Sequence, residues 1–238
     1  MKIVRIDIPF ENKMTKLQTT LGWIYLPLHA VALPLLLSMY GRYSGLGDGP
    51  INLIYYGIGI LFVAVVMLRY LRSAFDVLCD RLLLCLLCIL LAILVDYAMS
   101  LVSALLLLLL QDIPQNPNNA AILEAAGSAR GVMAGIGIFL APVVEEILFR
   151  GTVFGSIRSR SRGLAYVVSA VLFSLYHVWQ YAAASGDPGL LLYAIQYIPM
   201  SVALAWTYER SGSIWTPIFF HMGYNAISYL ALITLETL

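Results

Sequence analysis

Long apolar runs at about 22 to 40, 51 to 68, 82 to 110, 131 to 156, 163 to 183, 188 to 207 and 212 to 235 alternate with short polar segments along the chain. A helix needs about 20 predominantly apolar residues to cross a ~30 Å hydrocarbon core. The pattern therefore predicts an all-α, polytopic membrane helix bundle of about seven transmembrane helices. The run 82–110 exceeds that length and must tilt, protrude or break. The first run is too long for a signal-peptide core and has no small-x-small cleavage site, so it reads as a retained span. Gln111 to Asn119, with two prolines and three asparagines, is the clearest loop. It separates a three-span front part (21–110), preceded by an N-terminal segment (1–20), from a four-span back part (120–238). The overlong third run and the stretch Ala120 to Arg130 each have room for a further element. No internal repeat is visible, which leaves a transporter built from duplicated halves without support.

Composition agrees with the pattern: 61% of residues are hydrophobic and 11% charged, against about 25% charged in an average soluble domain. Charge placement gives orientation. Lys2, Arg5, Lys13 and Lys16, then Arg69, Arg72 and Arg81, then Arg158, Arg160 and Arg162, then Arg210 fall in alternate connections. The other connections hold Arg42 and Arg130 with Asp48, Asp112, Glu124 and Asp187. Lys and Arg are enriched on the cytoplasmic side, so the N-terminus is expected in the cytoplasm and the C-terminus outside. A net charge of +1 offers no basic surface for nucleic acid, and no nucleic-acid partner is expected. Cys79, Cys85 and Cys88 are too few for a disulfide framework, and Cys85 and Cys88 read as packed thiols.

Charged groups inside the apolar runs change the picture. In the fourth run, Ala141-Pro-Val-Val-Glu-Glu-Ile-Leu-Phe-Arg-Gly151 places two carboxylates and a guanidinium at membrane depth. Each such group costs roughly 2.5 to 3.5 kcal/mol near mid-membrane on insertion scales, so it pairs, lines a wet cavity or does chemistry. Glu146 and Arg150 stand at i, i+4 with the acid first, the favourable order for a helical ion pair. Glu145 then points about 100° away around the helix. Pro142 is expected to free the carbonyl of Ile138 and to kink the span. Gly131/Gly135 and Gly151/Gly155 form two G-x-x-x-G patterns that permit close helix approach.

The fifth run carries Phe173-Ser-Leu-Tyr-His177 and the seventh His221-Met-Gly-Tyr-Asn225. At 1.5 Å per residue, Glu145 lies roughly 20 Å from Arg158, His177 roughly 22 Å from Arg162, and His221 and Asn225 roughly 16 to 22 Å from Arg210. All of them fall near mid-membrane, on helices of alternating direction. Scattered structural polar groups would have no reason to agree in depth. Asp96 and Gln196 reach a similar level, Gln196 as a lining residue and Asp96 either in the same cavity or with a partner elsewhere. His29, between Pro27 and Pro34, reads as structural.

A carboxylate beside an imidazole in a desolvated site can take a proton from water. A second imidazole and a carboxamide can donate to an oxygen that becomes anionic. These parts suit hydrolysis of an amide. Ser174, three residues before His177, does not form a nucleophile elbow. Two histidines and a glutamate can also hold zinc with one position open, although H-E-x-x-H is absent. Zinc at the Glu/His cluster is thus the alternative to a cofactor-free site. The other readings are a buried ion pair that pins helices, and a non-catalytic membrane binding or immunity protein.

Glu145-Glu146-Ile-Leu-Phe149-Arg150-Gly151, Phe173-x-x-x-His177 and His221-x-x-x-Asn225, in this order, resemble the three motifs of the type II CAAX prenyl endopeptidase and bacteriocin-processing family, also called the CPBP or ABI family. They cover Glu145 to Asn225, and the first three runs carry no matching motif. The resemblance implies a glutamate-type intramembrane endopeptidase whose cavity opens toward the cytoplasm or the bilayer. Glu145 would activate water together with His177, His221 and Asn225 would hold the oxyanion, and Glu146 and Arg150 would support them. The implied partners are a peptide or lipidated protein substrate and membrane lipid, in a multi-pass protein of a prokaryotic cytoplasmic membrane.

Overall fold

The structure, a computed structural model, describes residues 10–110 and 116–236. Among these residues it is helical throughout, with no strand. The first helix, α1, runs Lys16–Ser44. Thr15 starts it: the Thr15 hydroxyl accepts from the Gln18 amide while the Gln18 side chain accepts from the Thr15 amide, satisfying two donors the helix end leaves open. Gly45 ends it in the left-handed conformation, φ 73°, which costs glycine little. Helix α2 follows as Asp48–Asp80, and α3 as Leu82–Leu110.

The helix Pro117–Gly135 breaks at Ala129, where φ −147° and ψ 47° are not helical. We call 117–128 α4 and the continuation, Ala129–Arg158, α5. Residues 117–119, placed in a loop by their composition, are therefore the first turn of a helix. The asparagine signal marks its cap instead, since the Asn116 side chain accepts from the Asn118 amide. Residues 111–115 of that expected loop, and Asp112 among them, lie outside the described residues, as do Lys2 and Arg5. The fifth apolar run is broken: α6, Arg162–Tyr176, and α7, Trp179–Ser185, meet at 44°, with His177 at the join. Pro188–Ser211 forms α8 and Trp215–Glu236 forms α9.

Among the described residues five helices are long and apolar enough to cross a membrane, or six if the bent pair α6/α7 is one crossing, against about seven expected. The difference is α9, which carries Thr216, His221, Tyr224, Asn225 and Ser228 along its length.

Two spans contain a wider π-type turn associated with a proline. In such a turn each amide reaches back five residues. Within α1, the Leu33 amide donates to the Leu28 carbonyl, and Pro34, next in line, has no hydrogen for the carbonyl of His29. The Tyr55 hydroxyl from α2 donates to it instead, at 2.9 Å. Within α5, the Ala141 amide donates to the Ile136 carbonyl, and Pro142 has none for Gly137. Proline thus opens a backbone acceptor to a side chain of another span, and in α5 that acceptor is Gly137 where an α-helical register would have made it Ile138.

The glycine patterns divide. Nothing approaches Gly131 or Gly135, whereas a methyl group on Gly151 or Gly155 would collide with Met14 or Asn12. The close approach is made by residues 12–14, whose Asn12 side chain donates to the Gly151 carbonyl at 3.1 Å. Closer to the site, a methyl on Gly59 of α2 would lie 2.8 and 2.9 Å from the methyls of Val144 on α5, so glycine is what lets these two spans touch beside Glu145.

Candidate active site

Helix α5 aims its two adjacent carboxylates differently. Six α-helical residues, Ala141–Glu146, lie between the π-type stretches Ile136–Leu140 and Ile147–Phe154. Glu145 faces a cavity, while Glu146 and Arg150 point into packed protein and are fully buried. Glu146 Oε1 accepts from Arg150 Nη1 at 3.3 Å and from His221 Nδ1 on α9 at 2.8 Å. Arg150 also donates through Nη2 to the carbonyl and hydroxyl of Ser201 on α8, at 3.1 and 2.9 Å. Its guanidinium lies 4.1 Å from the centre of the Phe173 ring, a cation–π contact of the kind that strengthens when desolvated. One charged triad thus ties α5, α6, α8 and α9 together.

Glu145 Oε1 accepts from the Tyr56 hydroxyl at 3.0 Å. Its Oε2 has no hydrogen-bond partner among the described residues and lies 3.8 Å from His177 Nε2 and 3.9 Å from His221 Nε2. The two imidazoles differ at their other nitrogen. His177 Nδ1 is 2.8 Å from the Phe173 carbonyl, which can only accept, so Nδ1 carries the hydrogen and neutral His177 turns a lone pair toward Glu145. The ring is held flat against Tyr197, with centroids 4.4 Å apart and planes at 21°. His221 Nδ1 instead meets a carboxylate that is already balanced by Arg150.

Asn225, one turn after His221, donates through Nδ2 to the freed Gly137 carbonyl at 2.8 Å. That bond uses one amide hydrogen and fixes the plane of the carboxamide, leaving the second hydrogen for another acceptor. Glu145, His177, His221 and Asn225 all line one cavity of about 770 Å³. Glu146 and Arg150 stand behind it.

The cavity wall comes from residues near one end of every span it touches. Gly41 and Arg42 of α1, Asp48 and Asn52 of α2, Asn118 and Asn119 of α4, Tyr181 of α7 and Tyr229 of α9 all contribute. This is the end opposite Arg72, Arg158 and Arg162. Toward that other end the site is closed by Ile147, Leu148, Phe154, Leu204, Tyr208 and Ile218, all buried.

Other sequence candidates separate. Gln196 lines the cavity and accepts a hydrogen bond from Asn116. Asp96 does not line it: it is fully buried on α3, and neither carboxyl oxygen has a hydrogen-bond partner among the described residues. His29 stacks on Tyr55 at 4.3 Å and is also absent from the wall. Cys85 and Cys88 are free, buried thiols. Among the described residues no group of three or more His, Cys, Asp or Glu side chains is arranged to hold a metal ion.

The sequence motifs missed the tyrosines. Tyr56 touches Glu145, and Tyr176 lies 3.4 Å from the Tyr56 hydroxyl and 2.9 Å from that of Tyr55. The available signal was weak: Tyr55-Tyr56 lies in an apolar run, where a phenol hydroxyl needs a partner.

Residues 128–227 match a family model described as "Type II CAAX prenyl endopeptidase Rce1-like". The chain is also similar to "Putative membrane peptidase YdiL" of Bacillus subtilis (strain 168), at 28% identity over 51% of this chain and 45% of the relative. "UPF0177 protein YxdF" of Lactococcus lactis subsp. lactis (strain IL1403) is 29% identical over 43% of this chain and 50% of its own length. "UPF0177 protein YbdI" of the same strain is 30% identical over 37% and 42%. The chain spans about half the length of the curated relatives it matches, and no solved structure matches it. The resemblance read from the three motifs therefore agrees with the family comparison: residues 128–227, which carry all of them, match the Rce1-like type II CAAX prenyl endopeptidase model.

Proposed function

We propose that the chain is an intramembrane endopeptidase that hydrolyses a peptide bond with water activated by Glu145 and His177. The observation that carries this reading is the unpartnered Oε2 of Glu145 facing the His177 lone pair across 3.8 Å within the cavity. A water molecule at ordinary hydrogen-bond distance, about 2.8 Å, from both acceptors fits that gap. Both of its hydrogens are then directed at bases and a lone pair is left for the substrate carbonyl carbon. As the C–O bond forms, Glu145 takes the proton. The carbonyl oxygen gains the negative charge and receives hydrogen bonds from Asn225 Nδ2 and His221 Nε2. For that donation His221 carries a hydrogen on each ring nitrogen, Nδ1 toward Glu146 and Nε2 toward the oxyanion. Collapse of the tetrahedral intermediate breaks the C–N bond, and the proton held by Glu145 goes to the departing amine.

The family match over residues 128–227 and the name of a similar protein, a putative membrane peptidase, support the coarser reading, a membrane peptidase. The glutamate mechanism rests on this geometry. A metal-dependent variant would use Glu145, His177 and His221 as ligands, so one experiment addresses both. Purified protein in detergent is given a peptide library that includes prenylated C-terminal peptides, and wild type is compared with Glu145→Gln, with and without a strong chelator. Cleavage lost in the variant and unchanged by chelation is the expected result. Cleavage abolished by chelation would replace the mechanism with a metal-dependent one.

A further inference from the structure

Sidedness follows from two observations that are independent of the motifs. The first is charge. Of the described lysines and arginines, nine lie at one end of the bundle, among them Arg72, Arg81, Arg158, Arg160, Arg162 and Arg210. Only Arg42 and Arg130 lie at the other, with Asp48, Glu124 and Asp187. Such an excess marks the cytoplasmic end. The second is shape. Every described span that borders the cavity borders it with its sparsely basic end, and packed side chains close the basic end.

The upper wall adds chemistry. Asn52, Asn116, Asn118, Asn119, Gln180 and Gln196 line it. Asn52, Asn116, Asn118 and Gln196 already hold hydrogen bonds within the protein, and covering the carboxamide donors and acceptors that remain with a hydrocarbon tail would leave those unpaired, at about 1 to 3 kcal/mol for each unsatisfied group. An extended peptide backbone, with its own N–H and C=O groups, satisfies them. We infer that the cavity opens to the extracytoplasmic side and takes a polar peptide segment delivered from there. This deepens the hydrolase reading and rests on it for the substrate, but the side of the opening does not. It departs from the cytoplasmic or bilayer opening that the family resemblance implied.

The test has a labelling arm and a cleavage arm. In bacterial cells expressing the full chain, a membrane-impermeant maleimide is applied before and after permeabilisation. Native Cys79, exposed near the basic end of α2, should label only after permeabilisation. Ala184→Cys, in the exposed end of α7, and Asn52→Cys, inside the mouth, should label in intact cells. Labelling of Cys79 but not Ala184→Cys in intact cells overturns the inference, as does Asn52→Cys reacting only when Cys79 does. For cleavage, a fluorescence-quenched library of polar peptides is given to right-side-out and inside-out vesicles, with Glu145→Gln as control. Turnover at least tenfold higher in right-side-out vesicles is expected. Turnover confined to inside-out vesicles, or seen in detergent but in neither vesicle type, overturns it. No turnover even in detergent removes the hydrolase reading and the substrate with it, while the labelling pattern still decides the side.

Discussion

Tyr56, on a span that no motif covers, donates its hydroxyl hydrogen to Glu145 Oε1 across 3.0 Å. The phenol and the water-binding oxygen share one carboxylate, so the tyrosine sets where Oε2 points. Tyr56→Phe removes the hydrogen bond and keeps the ring. A hydrogen bond to a charged group contributes about 1.5 to 3 kcal/mol, so kcat should fall roughly 10- to 100-fold, with the melting temperature nearly unchanged. Steady-state kinetics beside a thermal melt in the same detergent checks this, and an unchanged kcat would make Tyr56 a packing residue.

Glu146 Oε1 accepts from both Arg150 and His221 Nδ1. Removing it takes away the ion-pair partner of Arg150 in a fully buried position. Loss of one partner of a buried pair costs about 3 to 5 kcal/mol. Glu146→Ala should therefore unfold at markedly lower temperature than Glu145→Ala, although the two residues are neighbours. Comparable melts for the two variants would show that the triad contributes little to folding.

Asp96 presents the opposite case, a buried carboxyl with no hydrogen-bond partner among the described residues and no place in the cavity wall. A charged aspartate near mid-membrane costs about 2.5 to 3.5 kcal/mol. Asp96→Leu should raise the melting temperature and leave peptide cleavage intact. Loss of cleavage at unchanged stability would give Asp96 a functional role that its position does not suggest.

Gly59 and Val144 are a size-matched pair, since a methyl on Gly59 meets both Val144 methyls below 3 Å. Overpacking of this kind typically costs about 1 to 3 kcal/mol. Gly59→Ala should destabilise and, by pushing α5 away, reduce turnover. Adding Val144→Ala should recover part of both losses. A double-mutant cycle without coupling would mean that the spans adjust elsewhere.

What was legible in the sequence was what a single helix determines. Each polar motif residue announced itself as a polar group in an apolar run, and equal depth across helices of alternating direction put Glu145, His177, His221 and Asn225 at one level. The i, i+4 spacing also gave the Glu146–Arg150 pair. Relations between helices were not legible. Nothing in the order of residues says that Glu146 reaches His221 on α9, or that Tyr56 of the front part reaches Glu145. The π-type turns were hidden as well, because Pro142 signals a missing donor but not which carbonyl loses it. The break at His177 lay inside an unbroken apolar run. Asp96 shared the depth of the others and faces elsewhere, so depth is necessary for the cluster and does not suffice.

The buried floor formed by Ile147, Leu148, Phe154, Leu204, Tyr208 and Ile218 makes the cavity a well and not a passage. Among the described residues the cavity reaches Glu145 from one end of the bundle, and packed apolar side chains lie beneath it. A cell could keep such a protein in an energised membrane without leaking protons or ions through it. In that respect the apolar packing beneath Glu145 serves the membrane as an insulator as much as it serves the fold.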